Sequence, residues 1–162
     1  NEGIEECLLL VGGRTKLHEV KHSLGELPEI RCYRSRVGQV VTNVLANAAD
    51  ALTEKRQASD DSEGNKERFS GVISITSKAE LREDKDGVLI AIADNGNGVP
   101  DEIREKIFEQ FFTTKPVGAG TGLGLSMCAE IVKDHGGILE VSRDQELNGA
   151  RFELWLPIAS KS

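Results

Sequence analysis

At 162 residues and 17.6 kDa the chain has the length of one domain, and a domain this size buries about 70% of its unfolded surface, so it needs no disulfide or metal to hold a core. Twenty Lys and Arg stand against 27 Asp and Glu, a net charge of −7, which argues against general nucleic-acid binding, where affinity rests on cationic contacts to phosphate. The longest wholly apolar runs, Cys7–Val11 and Val88–Ala93, fall far below the roughly 18 residues a membrane span requires, so direct membrane insertion is not expected.

In chain order, residues 3–11 suit a short helix that Gly12-Gly13 would stop. Residues 15–33 hold strand-like pieces around Pro28. Residues 36–56 form the clearest helix, with Val37, Val40, Val41, Val44, Ala48 and Leu52 at three- and four-residue steps. Residues 57–68 are polar and aperiodic and read as an exposed loop. The spacing predicts strands over 71–78 and 87–94, joined as a hairpin through the charged turn Leu81–Asp86. A short helix is expected over 101–108 after Pro100, a mobile loop over 110–121, and a helix over 122–135 ended by His135 and Gly136-Gly137. Two strands fit 138–143 and 150–157. Helices interspersed with hairpin-linked strands predict a single α/β domain over 1–162, a two-layer sandwich with a mixed, mostly antiparallel sheet and helices on one face. The three cysteines, Cys7, Cys32 and Cys128, have no metal-like spacing and read as reduced, buried thiols. No Met and no signal-like segment opens the chain, which reads as a piece of a longer protein.

Three features carry chemistry. On the long helix, Gln39, Asn43, Asn47 and Asp50 fall in an arc beside the apolar stripe. Amide oxygens can coordinate a hard cation without adding negative charge near a phosphate. Next, Asp94 ends an apolar strand on the face of Ile90 and Ile92. A carboxylate there is costly unless it is hydrogen-bonded, and a purine amine would supply one such bond. Gly96 and Gly98 would let the backbone turn away and leave room for a flat ring. The last feature is the run Gly118–Ser126 leading into a helix, where free N–H groups attract phosphate. It lacks the Lys-Ser/Thr ending of a P-loop and does not follow a strand. Each feature alone also has a plain structural explanation.

In this order the features resemble the ATP-binding domain of sensor histidine kinases, within the wider family shared by gyrase, Hsp90 and MutL. The matching segments are Gln39–Ala51 (QVVTNVLANAADA), Asp94–Gly98, Phe108–Lys115 (FEQFFTTK), Gly118–Leu125 and Gly149–Pro157. The TTK lid sequence looks most like the nitrogen-regulator type. The resemblance implies a Bergerat-type fold that binds ATP and Mg²⁺ and transfers the γ-phosphoryl group to a histidine. It implies that Asn47 coordinates Mg²⁺ with Asn43 beside it, and that Asp94 accepts from the adenine amine in a pocket shaped by Gly96 and Gly98. Thr113, Thr114 and Lys115 would lie on the lid near the phosphates, with Lys115 adding positive charge. Gly120, Thr121, Gly122, Leu123, Gly124 and Leu125 would form the lid hinge and the phosphate-facing helix start. Phe111 and Phe112 read as hydrophobic anchors of the lid.

Two departures qualify the resemblance. Many members carry a basic residue where this chain has Asp50, so Asp50 is expected to act through water or structurally. None of His18, His22 and His135 sits in a phosphoacceptor setting, so the accepting histidine is expected on an upstream dimerisation domain, and a response-regulator receiver domain would be an indirect partner. The isolated domain is expected to be monomeric, its parent homodimeric, and its location cytoplasmic, where ATP is. Hydrolytic relatives carry a Glu where this chain has Asn43, which cannot act as a general base. That favours transfer to imidazole, a nucleophile that needs little activation. Two rivals are a nucleotide-binding scaffold without kinase output and a zinc hydrolase built on His18-Glu19-Val20-Lys21-His22. The hydrolase needs those residues on a helix, whereas on a strand the two rings would stand about 13 Å apart.

Overall fold

The computed structural model describes residues 1–61, 64, 68–115 and 122–158. Five strands form a sheet in the order β1-β2-β3-β5-β4, comprising β1 (Glu19–Leu24), β2 (Val72–Arg82), β3 (Lys85–Asp94), β4 (Ile138–Arg143) and β5 (Ala150–Pro157). β1 runs parallel to β2 and every other neighbouring pair is antiparallel. Helices α1 (Glu2–Leu10), α2 (Gly12–Thr15), α3 (Arg34–Asp60) and α4 (Gly124–Asp134) complete the fold. This is the mixed, mostly antiparallel two-layer arrangement expected from the sequence.

The core lies between the sheet and α3. Val40, Val41, Val44, Leu45, Ala48, Ala49 and Leu52 recur at helical spacing and are buried, facing Ile73 and Ile75 of β2, Val88, Ile90 and Ile92 of β3, and Phe152, Leu154 and Leu156 of β5. α4 adds Cys128, Ile131 and Val132 to the same cluster. β3 is central and buried on both faces from Gly87 to Asp94, which is why its sequence reads as a continuous apolar run.

On the other face of the sheet, Leu89 pairs with Trp155. The indole ring lies on Gly87, where any Cβ would run into it, and its Nε1–H donates to the Glu80 carbonyl at 3.0 Å. Arg82, at the hairpin end, donates to Glu80, to Glu140 on β4 and to Glu153 on β5 at 2.7, 3.0 and 2.8 Å. One guanidinium therefore ties the hairpin tip to the two strands beyond it. The Lys78 and Arg82 bonds hold the Glu80 carboxyl below its usual range despite burial. Burial raises the Glu153 carboxyl, but the Arg151 and Arg82 bonds outweigh it and leave the group lowered.

Several boundaries differ from expectation. Gly12-Gly13 does not stop the chain's helical path, because α2 follows directly through Arg14 and Thr15, and Thr15 donates to the Val11 carbonyl at 3.3 Å. α3 continues to Asp60, four residues past the expected end. The hairpin turn is shorter than expected. Glu83 and Asp84 alone form it, at φ 49° and 59°, the double left-handed conformation of a tight two-residue hairpin loop. Residues 101–108 form two 3₁₀ turns, Asp101–Ile103 and Lys106–Phe108, instead of one helix. α4 starts at Gly124 because Gly122 is left-handed, at φ 67°. Cys7 and Cys128 are buried thiols as expected, while Cys32 is only half-buried.

Candidate functional site

A cavity of about 560 Å³ opens between α3, the end of β3 and the start of α4. The α3 wall presents Asn43, Asn47, Asp50 and Glu54, spaced three to four residues apart, one above another on a helix. Asn43 donates through Nδ2 to the Cys128 sulfur at 3.6 Å, which orients its amide against α4. Burial pushes the Cys128 thiol up, so it stays protonated. Asn47 is half-buried and its amide has no partner among the described residues, so it is free for a ligand. Gln39 does not line the cavity. It donates to the Met127 sulfur at 3.4 Å.

Asp94 closes the inner end and is 4% exposed. Its Oδ1 accepts the Gly96 N–H at 2.8 Å and the Ala150 N–H at 3.3 Å. Oδ2 has no partner among the described residues. Burial pushes the carboxyl above its usual range. The two N–H groups and the Lys55 ammonium oppose that shift, while Asp144 adds to it. Gly98, at φ 75°, lines the cavity. Gly96 instead serves through its backbone donor. Gly149 packs so closely that a Cβ there would run into the Asp94 main-chain oxygen and Oδ1. The apolar part of the wall comes from Val99, Ile103, Ile107, Phe112 and Phe152, a surface suited to a flat ring.

The opposite rim carries Thr113, Thr114 and Lys115. Lys115 Nζ donates to Asp50 Oδ2 at 3.0 Å, and Arg14 from α2 reaches the same oxygen at 3.5 Å. Gly122, Gly124 and Leu125 bring the N-terminus of α4 to the cavity, where a helix dipole favours an anion. Leu123 caps that helix without lining the cavity. The Phe111 N–H donates to the Gly122 carbonyl at 2.8 Å.

A family model described as "Histidine kinase-, DNA gyrase B-, and HSP90-like ATPase" matches residues 32–160. The chain belongs to this ATPase family. Among curated relatives, Sensor histidine kinase ZraS of Escherichia coli O157:H7 is 39% identical over 132 residues, which is 82% of this chain and 24% of the relative. Sensory histidine kinase/phosphatase NtrB of Azospirillum brasilense is 34% identical over 143 residues, covering 82% of this chain and 31% of the relative. The chain thus spans about a quarter to a third of the length of these sensor kinases. Among solved structures, the nucleotide-free catalytic domain of histidine kinase ThkA superposes with a TM-score of 0.75 at 30% identity, covering 98% of this chain and 91% of that one.

Within this ATPase fold, twelve of the expected site residues lie among the described ones that form the cavity or its immediate supports: Asn43, Asn47, Asp50, Asp94, Gly96, Gly98, Thr113, Thr114, Lys115, Gly122, Gly124 and Leu125. Gly120 and Thr121 lie outside the described residues. The paired anchors Phe111 and Phe112 separate. Phe112 packs on the core, whereas Phe111 is 73% exposed at φ 65°. Arg14 was missed because it reaches the cavity only through tertiary packing, and Glu54 was missed although it continues the Asn43, Asn47 and Asp50 face of α3 by one more turn. Gly149, the first residue of a segment matched in the sequence, packs on Asp94 without lining the cavity. His18 precedes β1, with Nε2–H donating to Thr53 Oγ1 at 3.0 Å, while His22 is exposed on that strand. No metal-holding cluster of His, Cys, Asp or Glu occurs among the described residues, and the zinc-hydrolase alternative is set aside. His135 caps α4 as expected. Its Nε2 accepts the Tyr33 N–H at 3.1 Å, so Nδ1 carries the proton donated to the Ile131 carbonyl at 2.7 Å.

Proposed function

We propose that this chain is the catalytic domain of a sensor histidine kinase, binding ATP in the α3–β3–α4 cavity and passing its γ-phosphoryl group to a histidine on a separate dimerisation domain. The observation that carries this reading is Asp94. One carboxylate oxygen is fixed by two backbone donors and the other is left for the cavity, at the end of an apolar slot. That arrangement matches an exocyclic purine amine, a donor beside a flat ring. Phosphates extending from such a ring would reach the α4 N-terminus, Thr113, Thr114 and Lys115.

The cavity also fits a divalent cation. The unpartnered Asn47 amide offers a neutral oxygen, with Asn43 beside it, suited to Mg²⁺. Mg²⁺ would offset phosphate charge in a cavity whose described lining has two cations, Arg14 and Lys115, against three carboxylates, Asp50, Glu54 and Asp94. Chemically, the imidazole nitrogen of the acceptor forms a P–N bond as the bond from the γ-phosphorus to the β–γ bridging oxygen breaks, and ADP leaves. Asn43 at the cavity wall offers no general base for water, which favours imidazole over hydrolysis. Lys115 and the α4 N–H groups hold the charge that gathers on the phosphoryl oxygens.

The phosphoacceptor domain is the direct partner and a response-regulator receiver the indirect one. A solved structure of histidine kinase ThkA in complex with response regulator protein TrrA is 27% identical to this chain over 98% of it, which supports a response regulator among the partners. We assign the domain to the cytoplasm because ATP is available there; separately, no helix among the described residues is long and apolar enough to cross a membrane. Calorimetric titration of ADP with and without Mg²⁺ tests the binding step, and saturable binding strengthened by Mg²⁺ is expected. Radiolabelled ATP incubated with this chain and the parent's phosphoacceptor domain should then label the acceptor. Binding without labelling would leave a nucleotide-binding scaffold.

A further inference from the structure

We propose that Arg14 is a polyphosphate-binding residue and that Asp50 is the resident anion which the nucleotide phosphates displace. This inference rests on the nucleotide reading above and adds a residue to that site from a part of the chain outside the family match at 32–160.

Arg14, on α2, and Lys115, 65 residues after Asp50, come to the same atom, Asp50 Oδ2, at 3.5 and 3.0 Å. All three residues line the cavity. The single Asp50 carboxylate cannot neutralise both cations, and neither Arg14 nor Lys115 forms an ion pair with Glu54, the other carboxylate on this wall of α3. A di- or triphosphate carries several negative charges and many acceptor oxygens. It satisfies both cations better than one carboxylate oxygen can, and a guanidinium suits phosphate through its planar fork of donors. The Arg14 pair is long and its side chain is 61% exposed, so it does little to hold α2 on α3. Its guanidinium is free to move to a ligand at little cost to the fold. Arg14 is also carried into place by α2, the one-turn helix that continues past Gly12-Gly13. Asp50, where a basic residue would be the simpler choice for phosphate, is explained as the group that keeps Arg14 and Lys115 at the rim before nucleotide arrives.

The test is calorimetry of ADP and of adenosine, both with Mg²⁺, on the parent chain, Arg14→Gln and Asp50→Asn. The expected result is that Arg14→Gln weakens ADP about five- to tenfold and leaves adenosine unchanged, while Asp50→Asn tightens ADP and leaves adenosine unchanged. The ADP affinity of the parent should also fall more steeply with salt than that of Arg14→Gln. Equal ADP affinity in the parent and Arg14→Gln overturns the inference. So does a matching loss for adenosine, which would mean that Arg14 only supports the fold of the pocket. A parent chain that binds neither ligand would instead overturn the nucleotide reading itself.

Discussion

The main-chain N–H of Ala150 points at Asp94 Oδ1 from 3.3 Å, so strand β5, and not only the glycine turn after β3, fixes the carboxylate at the bottom of the cavity. The turn supplies the shorter bond, from Gly96 at 2.8 Å. Both donors converge on one oxygen of this cavity-lining carboxylate, and the other has no partner among the described residues.

Asp94→Asn should separate stability from binding. The variant keeps an oxygen for the two N–H donors but turns an amide toward the cavity, where an acceptor is needed. Adenosine and ADP affinity should fall by about 1–3 kcal/mol, read by calorimetry. Burial raises the Asp94 pKa above its unfolded value of 3.8. The folded state therefore holds this proton more tightly than the unfolded state, and the parent loses stability as pH rises from that value through the raised one. At pH 8 the variant should melt above the parent, and the gap should close toward pH 4. A variant that melts lower at pH 8 would contradict the burial argument.

Gly149→Ala tests the contact on the other side of the same carboxylate. The added methyl meets the Asp94 main-chain oxygen and Oδ1, and backbone cannot yield as a flexible side chain does. A cost of about 1–3 kcal/mol in denaturant unfolding is expected, with weaker adenosine binding. Unchanged adenosine affinity in a folded variant would show that Asp94 tolerates displacement.

Asn47→Asp should change the metal dependence more than the base affinity. A carboxylate at this free position adds negative charge beside the phosphates, so ADP binding without Mg²⁺ should weaken severalfold while adenosine binding stays the same. Calorimetry across a Mg²⁺ series reads this, and an ADP affinity as insensitive to the substitution as adenosine would remove Asn47 from the phosphate end.

Arg82→Met addresses the far side of the sheet. Loss of the guanidinium leaves Glu80, Glu140 and Glu153 near one another without their shared partner. The Arg82 side chain is 19% exposed, between surface and buried pairs, and a loss of about 2 kcal/mol at pH 7 is expected. Glu80 and Glu153 have lowered pKa values, so their contribution is present above the unfolded value of 4.5 and lost as pH falls through the lowered one. Urea unfolding of parent and variant should therefore converge toward pH 3. Nucleotide affinity should not change.

Much of this was legible in the sequence because it is local. Apolar spacing on α3 and the glycines beside Asp94 and before α4 mark backbone that must pack, turn or admit a ligand within a few residues of where they occur. Position 50 shows the limit. The sequence shows an acid beside the expected phosphates, yet its two partners lie 36 and 65 residues away and carry no local sign of their meeting. Arg82 and Gly149 are similar, since an arginine near a hairpin tip and a glycine in a turn look ordinary until the strand order brings Glu140, Glu153 and Asp94 to them. Phe111 and Phe112 are adjacent and identical in type. The left-handed backbone at Phe111 sends one ring outward, and only the tertiary clamp to Gly122 requires it.

That clamp has a consequence for chain length. The bond from the Phe111 N–H to the Gly122 carbonyl joins the two ends of the intervening stretch at 2.8 Å, so the entropy of bringing those ends together is already spent at its base. Beyond that point, doubling the number of residues between them adds only about 0.6 kcal/mol of closure cost. Extra length there costs β3, α3 and α4 little, whereas the start of the stretch is held to its sequence by Phe112, Thr113, Thr114 and Lys115, which line the cavity.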